Sequence, residues 1–365
     1  MLMIRCLYLF VFSFSFISCS PDEVPDSVDG DYYFPPLGNG VWDSTSALDL
    51  GWDTTTMDDL NQNLEENGTR AFIILHKGRI VVEEYFGSRL LGNQAFEQSS
   101  NWYWASAGKT LAAVLVGLAQ EEGLLTLDDP SSTYLGEGWT SLDPIQEQKI
   151  TLWHLLTMTS GLDDEVSDRD DYTPGNLTFK AEPGSRWAYH NAPYTLLEKV
   201  ITEATGRPFE QYFREKIASK IGMGGSWQSL GFNNVYFSDA RSMARFGLLL
   251  LANGLWDGDT VLEDGIFLKN MISPSQNLNQ SYGYLWWLNG QASFMVPGLQ
   301  VQFPGKWTPD APDDMVCGLG RDGQYLCVVP SMDMVLVRMG ESPDQSLVPF
   351  AYLNDIWKEL NKIIP

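Results

Sequence analysis

The chain has 365 residues, 44% of them hydrophobic and 13% aromatic with 13 Trp, enough apolar material to bury a sizeable core and to exclude a disordered chain. A formal net charge of -24 excludes the basic footprint that a nucleic-acid partner needs. Such an acidic balance suits a surface facing salt water or a cell exterior.

At the N-terminus, Arg5 precedes an apolar and Ser-rich run from Leu7 to Ile17, too short to span a bilayer as a mature helix. The run ends in Phe16-Ile17-Ser18-Cys19, which resembles the lipobox of bacterial lipoproteins, whose Cys becomes the lipidated first residue. An ordinary signal peptide cut nearby is the alternative, and both predict export. The expected divisions are a signal peptide over 1–18, a Pro-, Asp-, Ser- and Gly-rich tether over 19–40 lipidated on Cys19, and one domain over 41–365. The implied location is the cell envelope of a Gram-negative-type bacterium, periplasm-facing or at the surface, with membrane contact only through the anchor.

A capping Thr, acidic early positions and a closing Gly predict a helix over 54–67. "AFIILHKGRIVVEEYFG" (71–87) reads as two strands joined at Lys77-Gly78. The segment 107–122 is apolar on nearly every face and predicts a helix buried on all sides. Helical patterns dominate from 150 to about 250, broken by a polar acidic loop at 163–178. Strands return in "YGYLWWLNG", "MVCGLG", "QYLCVVP" and "MVLVRMG", and a last helix is expected over 346–362. Strands at both ends with a helical middle predict one sheet interrupted by a helical insertion. The chain shows no repeat at solenoid periods.

Within "WYWASAGKTLAAVLVGLAQEEGLLTLDD" (102–129), two motifs compete for Lys109. A phosphate loop requires G-x-x-x-x-G-K-[ST], but the position five before Gly108 is Tyr103, and "NWYWA" is not the apolar strand that feeds such a loop. The S-x-x-K reading stands: residues three apart on a helix share a face, so the Ser106 hydroxyl and the Lys109 amine can meet. Ser106 lies where the helix N-terminus stabilises a developing oxyanion, and burial should weaken the lysine's hold on its proton so that it serves as base. S-x-x-K alone arises often by chance, so its meaning depends on the motifs downstream of it.

"ITLWHLLTMTSGL" (150–162), "PGSRWAYHNAPYTLLEKVITEATG" (183–206) with its Y-x-N triplet Tyr189-His190-Asn191, "SDARSMARFGLLLLANGLWDG" (238–258), "SYGYLWWL" and "GLGRDGQYLCVVP" (318–330) come in that order. Together with S-x-x-K they closely resemble the serine beta-lactamase and penicillin-binding-protein-like superfamily, in the branch of class C-like esterases, D-amino-acid peptidases and nylon-oligomer hydrolases. The resemblance covers about 40–362. It implies an α/β fold, an antiparallel sheet flanked by helices with a mostly helical subdomain inserted at about 110–240. It implies Ser106 as nucleophile, Lys109 as its partner, Tyr189 as proton carrier to the leaving group, and Asn191 as holder of the lysine and a substrate carbonyl. Gly318-Leu319-Gly320 falls where other members carry Lys-Thr-Gly or His-Thr-Gly. Backbone N–H groups of Ser106 and of the strand near Arg321 are expected to form the oxyanion hole. The missing cation at the third motif suits a site that reads no substrate carboxylate there, which favours an esterase or amidase over a beta-lactamase, although Arg321 offers a substitute charge.

The implied activity is an exported serine hydrolase acting on a small-molecule ester, amide or peptide through an acyl-enzyme, without metal or cofactor. A D-Ala carboxypeptidase or beta-lactamase is the alternative, and a non-turnover sensing lipoprotein the alternative of another class. Oligomeric state is not legible. His76, His154 and His190 read as structural, and no G-x-S-x-G, H-E-x-x-H or zinc-like Cys/His spacing occurs. The acidic loop lacks the fixed Gly and closing Glu of a calcium loop and reads as a solvated lid fringing the cleft. Trp102, Tyr103, Trp104, Trp187, Tyr282, Tyr284, Trp286 and Trp287 are expected mostly in the core, the remainder lining an apolar acyl pocket. If Arg321-Asp322-Gly323 is a three-residue hairpin loop with Gly323 left-handed, residue 320 faces 324, 318 faces 326 and 317 faces 327. That register predicts a Cys317–Cys327 disulfide bracing the third motif.

Overall fold

Asp53, not a Thr, caps the first helix: its carboxylate accepts from the Thr55 N–H at 2.9 Å, one 3-10 turn follows, and α1 runs Met57–Glu66. The computed structural model describes residues 32–38 and 41–365, so the signal segment, Cys19 and most of the expected tether lie outside the described residues. Strands β1 (Thr69–His76) and β2 (Arg79–Tyr85) pair antiparallel through a tight turn in which Lys77 and Gly78 are both left-handed, with φ of 50° and 80°. Consecutive burial of Ala71 to Leu75 shows that both faces of β1 are covered. A short β3 (Trp102–Tyr103) leads through one 3-10 turn into α2 (Lys109–Glu121), whose residues 109–119 are all buried. The middle of the chain then supplies α3 (Asn191–Thr195) and α4 (Leu197–Thr205).

The helical reading of this middle stretch misses one hairpin. β4 (Ser226–Leu230) and β5 (Asn233–Ser238) pair with each other and with β3 in a separate three-stranded sheet. Only Trp227, Tyr236 and Ser238 of this hairpin are buried, and the polar residues between them erase the apolar alternation that marks a strand. The chain continues through α5 (Ala240–Leu251), β6 (Trp287–Leu288), β7 (Val316–Gly320), β8 (Gln324–Val329), β9 (Met334–Gly340) and α6 (Phe350–Ile363). Of "YGYLWWLNG" only Trp287 and Leu288 pair with β7, because Leu285 takes a left-handed φ of 62° and breaks the ladder. The last helix starts four residues later than expected, directly after Pro349, since the residue before a proline is driven out of the helical region.

The main sheet is antiparallel and six-stranded, in the order β2-β1-β9-β8-β7-β6, so the first long strand lies against the last. The β7–β8 hairpin keeps the predicted register, with Gly320 facing Gln324, Gly318 facing Leu326 and Cys317 facing Cys327. The two cysteines, 4.2 Å apart at Cα, are joined by a disulfide, and Asp322 shares the left-handed conformation with Gly323 at the loop.

Arg338 of β9 fastens this hairpin from behind. Fully buried, it donates to the carbonyls of Gly323 (2.7 Å), Asp322 (3.2 Å), Asn67 (2.8 Å) and Glu341 (3.0 Å) and to Thr69 Oγ1 (3.0 Å). Its guanidinium also lies over the Tyr325 and Tyr352 rings, 5.7 and 5.0 Å from their centroids. Five hydrogen bonds thus replace a carboxylate partner and join the start of β1, the end of β9 and the hairpin tip. Arg338→Met should cost about 3 kcal/mol by orphaning buried carbonyls, read as a lower urea midpoint. Arg338→Lys, with three donors on one nitrogen, should recover only part of it.

Candidate active site

The turn that carries Ser106 is held from both sides. Trp104 donates its backbone N–H to the Tyr236 carbonyl (2.9 Å) and its indole N–H to Ser238 Oγ (2.8 Å), which fixes the chain to β5. Ala105 then adopts a left-handed φ of 46°, a conformation costing a non-glycine residue about 1 kcal/mol or more and concentrated at functional sites. A 3-10 turn over Ala105–Gly108 follows, two residues earlier than the predicted helix start, and it places Ser106 just ahead of α2. Lys109 Nζ donates to Ser106 Oγ at 3.0 Å.

Lys109 is only 4% exposed, set in an apolar helix. Desolvation pulls its pKa down to about 7, partly opposed by the negative charge of Asp170. The ammonium is screened by two rings, with Tyr194 at 4.2 Å and Tyr189 at 5.3 Å from their centroids. Tyr189 in turn is clamped by aromatics: Trp287 stacks on it at 6.0 Å, and Tyr282 meets it edge-on at 6.2 Å. Burial raises the Tyr189 phenol above its ordinary value, with a hydrogen bond involving Ser106 working the other way, so the phenol remains a neutral donor while the lysine titrates near neutrality. A neutral amine beside a hydroxyl and a neutral phenol is an arrangement able to supply a base, a nucleophile and a proton carrier within one wall of the cleft.

Asn191 begins α3 and is turned elsewhere than the resemblance implies. Its Nδ2 donates to Asp170 Oδ1 at 2.7 Å, and Lys109 is not among its hydrogen-bond partners. Asp170 belongs to the acidic loop, which, as expected of a lid, fringes the cleft with Asp168, Arg169 and Asp170. Its role beside Lys109 carries no signal in local spacing, because the loop reaches the second motif only through the tertiary fold.

The third-motif glycines have a steric explanation. A Cβ on Gly320 would stand 2.4 Å from the Trp104 carbonyl and 3.1 Å from the Ala107 nitrogen, and one on Gly318 would stand 2.9 Å from Thr110 Cγ2. β7 therefore presses its backbone directly against the Ser106 turn, an approach only glycine permits. Leu319, alternating to the other face, is buried. Of Gly318, Leu319, Gly320 and Arg321, it is Arg321, with its side chain 71% exposed, that lines the cleft.

That cleft has a volume of about 1000 Å³ and contains Ser106, Lys109, Tyr189, Asn191 and Tyr194. Exposed Leu90, Leu230 and Leu347, from three separate segments, rim it, with Val235 and Phe237 of the unforeseen β4–β5 hairpin. Tyr103 also lines the cleft, whereas Trp102, Trp104, Trp187, Tyr282, Tyr284, Trp286 and Trp287 are buried in the core. The histidines stay out of it. His154 Nδ1 accepts from the Thr151 N–H (3.1 Å) in a capping box, and burial lowers its pKa to about 4. His190 is 1% exposed, and burial likewise lowers it to about 4. Among the described residues, no group of three or more His, Cys, Asp or Glu could hold a metal ion.

An antiparallel sheet with a serine-lysine pair at the foot of a buried helix defines the serine beta-lactamase and penicillin-binding-protein class. The Beta-lactamase family matches residues 60–346, and the chain belongs to that family. It is 23% identical over 317 residues to the 6-aminohexanoate-dimer hydrolase of Paenarthrobacter ureafaciens, covering 80% of this chain and 77% of that protein. It is 27% identical over 167 residues to the D-alanyl-D-alanine-carboxypeptidase/endopeptidase AmpH of Escherichia coli, a match covering 42% of this chain and 43% of that protein. A penicillin-binding protein homologue from Caulobacter crescentus shares the fold with a TM-score of 0.66 at 14% identity, over 88% of this chain and 98% of the other.

The buried amine carries a stability cost with a defined pH dependence. The unfolded lysine titrates at 10.5 and the folded one at about 7, so below pH 7 both states are charged and the full desolvation penalty applies. Between the two values the unfolded chain binds more protons, and the penalty fades as pH rises. Lys109→Met should therefore stabilise the protein at pH 6, by on the order of 2 kcal/mol after the lost contacts are counted. Urea melts at pH 6, 8 and 10 should show the gain shrinking, and a pH-independent difference would contradict a desolvated lysine.

Proposed function

We propose that the chain is a serine hydrolase that cleaves a small ester, amide or peptide through an acyl-enzyme on Ser106. The carrying observation is the 3.0 Å contact between Ser106 Oγ and a buried Lys109 amine. As Oγ attacks the carbonyl carbon, the neutral Lys109 takes its proton. The carbonyl oxygen, now negative, meets the Ser106 backbone N–H and that of the strand at Arg321. Tyr189 delivers a proton to the leaving nitrogen or oxygen as the C–N or C–O bond breaks, and the Lys109 ammonium returns one to the phenolate. Water then attacks the acyl carbon and gives its proton to Lys109, and the acid leaves as that proton passes back to Ser106 Oγ. No step calls for a cofactor. The leucine-rimmed mouth supports an apolar group on the substrate, and the name of the Paenarthrobacter relative supports a linear amide as one candidate.

A second reading rests on Arg321. An exposed guanidinium at the cleft suits the terminal carboxylate of a D-Ala peptide or a beta-lactam, and the partial match to a D-alanyl-D-alanine carboxypeptidase adds weight to it. The Leu7–Ile17 run and Cys19 support export with a lipid anchor in the envelope, which labelled-palmitate incorporation lost in Cys19→Ala would test.

The decisive assay sets p-nitrophenyl esters, D-Ala-D-Ala peptides, nitrocefin and linear amide oligomers side by side, with Ser106→Ala as blank. The variant should keep its circular dichroism while losing fluorophosphonate labelling and at least about 1000-fold in turnover. Labelling retained by Ser106→Ala would falsify the nucleophile assignment. A penicillin-derived acyl label on wild type that persists for hours without product would instead favour a sensing role.

A further inference from the structure

The loop 163–172 is fastened onto the second motif at two adjacent points. The Ala192 N–H donates to the Arg169 carbonyl at 3.0 Å, and the Asn191 amide donates to Asp170 Oδ1 at 2.7 Å. The loop is also braced independently of the cleft. Asp163 N–H bonds the Thr178 carbonyl (2.9 Å), Arg186 pairs with buried Asp164 (2.6 Å), and Asn176 Nδ2 bonds the carbonyls of Asp168 and Asp171 (2.9 and 2.7 Å). Asp170 is thus a half-buried carboxylate delivered to the cleft wall by a pre-shaped loop.

An ionised carboxylate only accepts hydrogen bonds, so it selects the Nδ2 end of the Asn191 carboxamide and turns Oδ1 away. Among the described residues that Oδ1 is buried without a partner and Asp170 is the side chain that Nδ2 bonds, so the amide orientation depends on Asp170. We propose that Asp170 is a positioning residue: through the docked loop it holds Asn191 in register with Ser106 and Lys109 and places a fixed negative charge on the wall where the lysine works. The proposal rests on the reading of Ser106 and Lys109 as nucleophile and base.

The other titratable and charged groups of the cleft around Lys109 do not substitute for it. Tyr189 and Tyr194, from the second-motif segment, are kept neutral by burial. From the same loop come Asp168, whose carboxylate accepts the Asp170 N–H (3.0 Å), and the exposed Arg169. From the β7–β8 tip, Arg321 and Asp322 face each other at 3.7 Å, and Asp322 also accepts from the Tyr103 hydroxyl at 2.9 Å. The Asp170 charge favours the protonated lysine, so its removal should let Lys109 lose its proton at lower pH.

The test is the pH dependence, from 5 to 9, of Ser106 labelling by a fluorophosphonate in the full chain, for wild type, Asp170→Asn, Asp170→Ala and Glu165→Gln. Glu165 is exposed and paired with Lys180 at 2.8 Å, so Glu165→Gln removes one charge from the same loop away from the cleft. Asp170→Asn, which keeps an acceptor for Asn191, should move the acid limb to lower pH, about a twofold gain at pH 6 relative to its own plateau. Asp170→Ala should show the same movement and lose about tenfold in plateau rate as Asn191 is released. Glu165→Gln should match wild type. The proposal is overturned if both Asp170 variants keep the wild-type limb and plateau, or if Glu165→Gln moves the limb equally. Should Asp170→Ala melt early, the Asp170→Asn limb decides alone. Labelling that survives Ser106→Ala removes the underlying reading as well, and so separates the two failures.

Discussion

An amine sealed from water one helical turn after a serine is the constraint around which this molecule is arranged. A lysine in that position is expensive: it cannot keep its proton cheaply, and among the described residues it has no carboxylate in direct contact to compensate. Its tolerance depends on aromatic faces, a hydroxyl and one more distant negative charge. Each comes from a different part of the chain: Tyr189 and Tyr194 from the second motif, Ser106 from the turn, and Asp170 from the loop.

Rigidity behind the site serves the same end. β7 can press on the Ser106 turn because Gly318 and Gly320 lack side chains, and it stays pressed because the hairpin is crosslinked at Cys317–Cys327 and gripped by Arg338. The donors expected to meet an oxyanion are backbone groups, so their aim depends entirely on how firmly this strand is held. The strained Ala105 peptide unit fits the same picture: a local penalty is tolerated where β5, through Trp104, over-determines the path of the chain.

How much of this was legible in the sequence depends on the range of the physics involved. The Ser106–Lys109 contact needed only helical spacing, and the Cys317–Cys327 pairing only the arithmetic of a short hairpin loop. The inner strands β1, β8 and β9 announced themselves by apolar runs buried on both faces. The β4–β5 hairpin did not, since its polar residues carry no periodic signal, and Leu285 ended a promising strand by a backbone conformation that composition does not reveal. The third-motif glycines were legible as residues but not as causes: they suggested absent chemistry, whereas the close approach of β7 to Trp104 requires them on steric grounds. Asp170 stayed hidden because a loop meets its target through the whole fold.

The antiparallel contact between the first long strand and the last has a consequence for how the protein comes into being. Residues 69–76 can find their partner only after 334–340 have left the ribosome, so the central sheet closes across almost the entire chain. Such a high contact order makes folding slow and leaves β1 without a neighbour on one edge throughout synthesis. Until the last strand emerges, that open edge is the part of the nascent chain most exposed to pairing with a foreign strand.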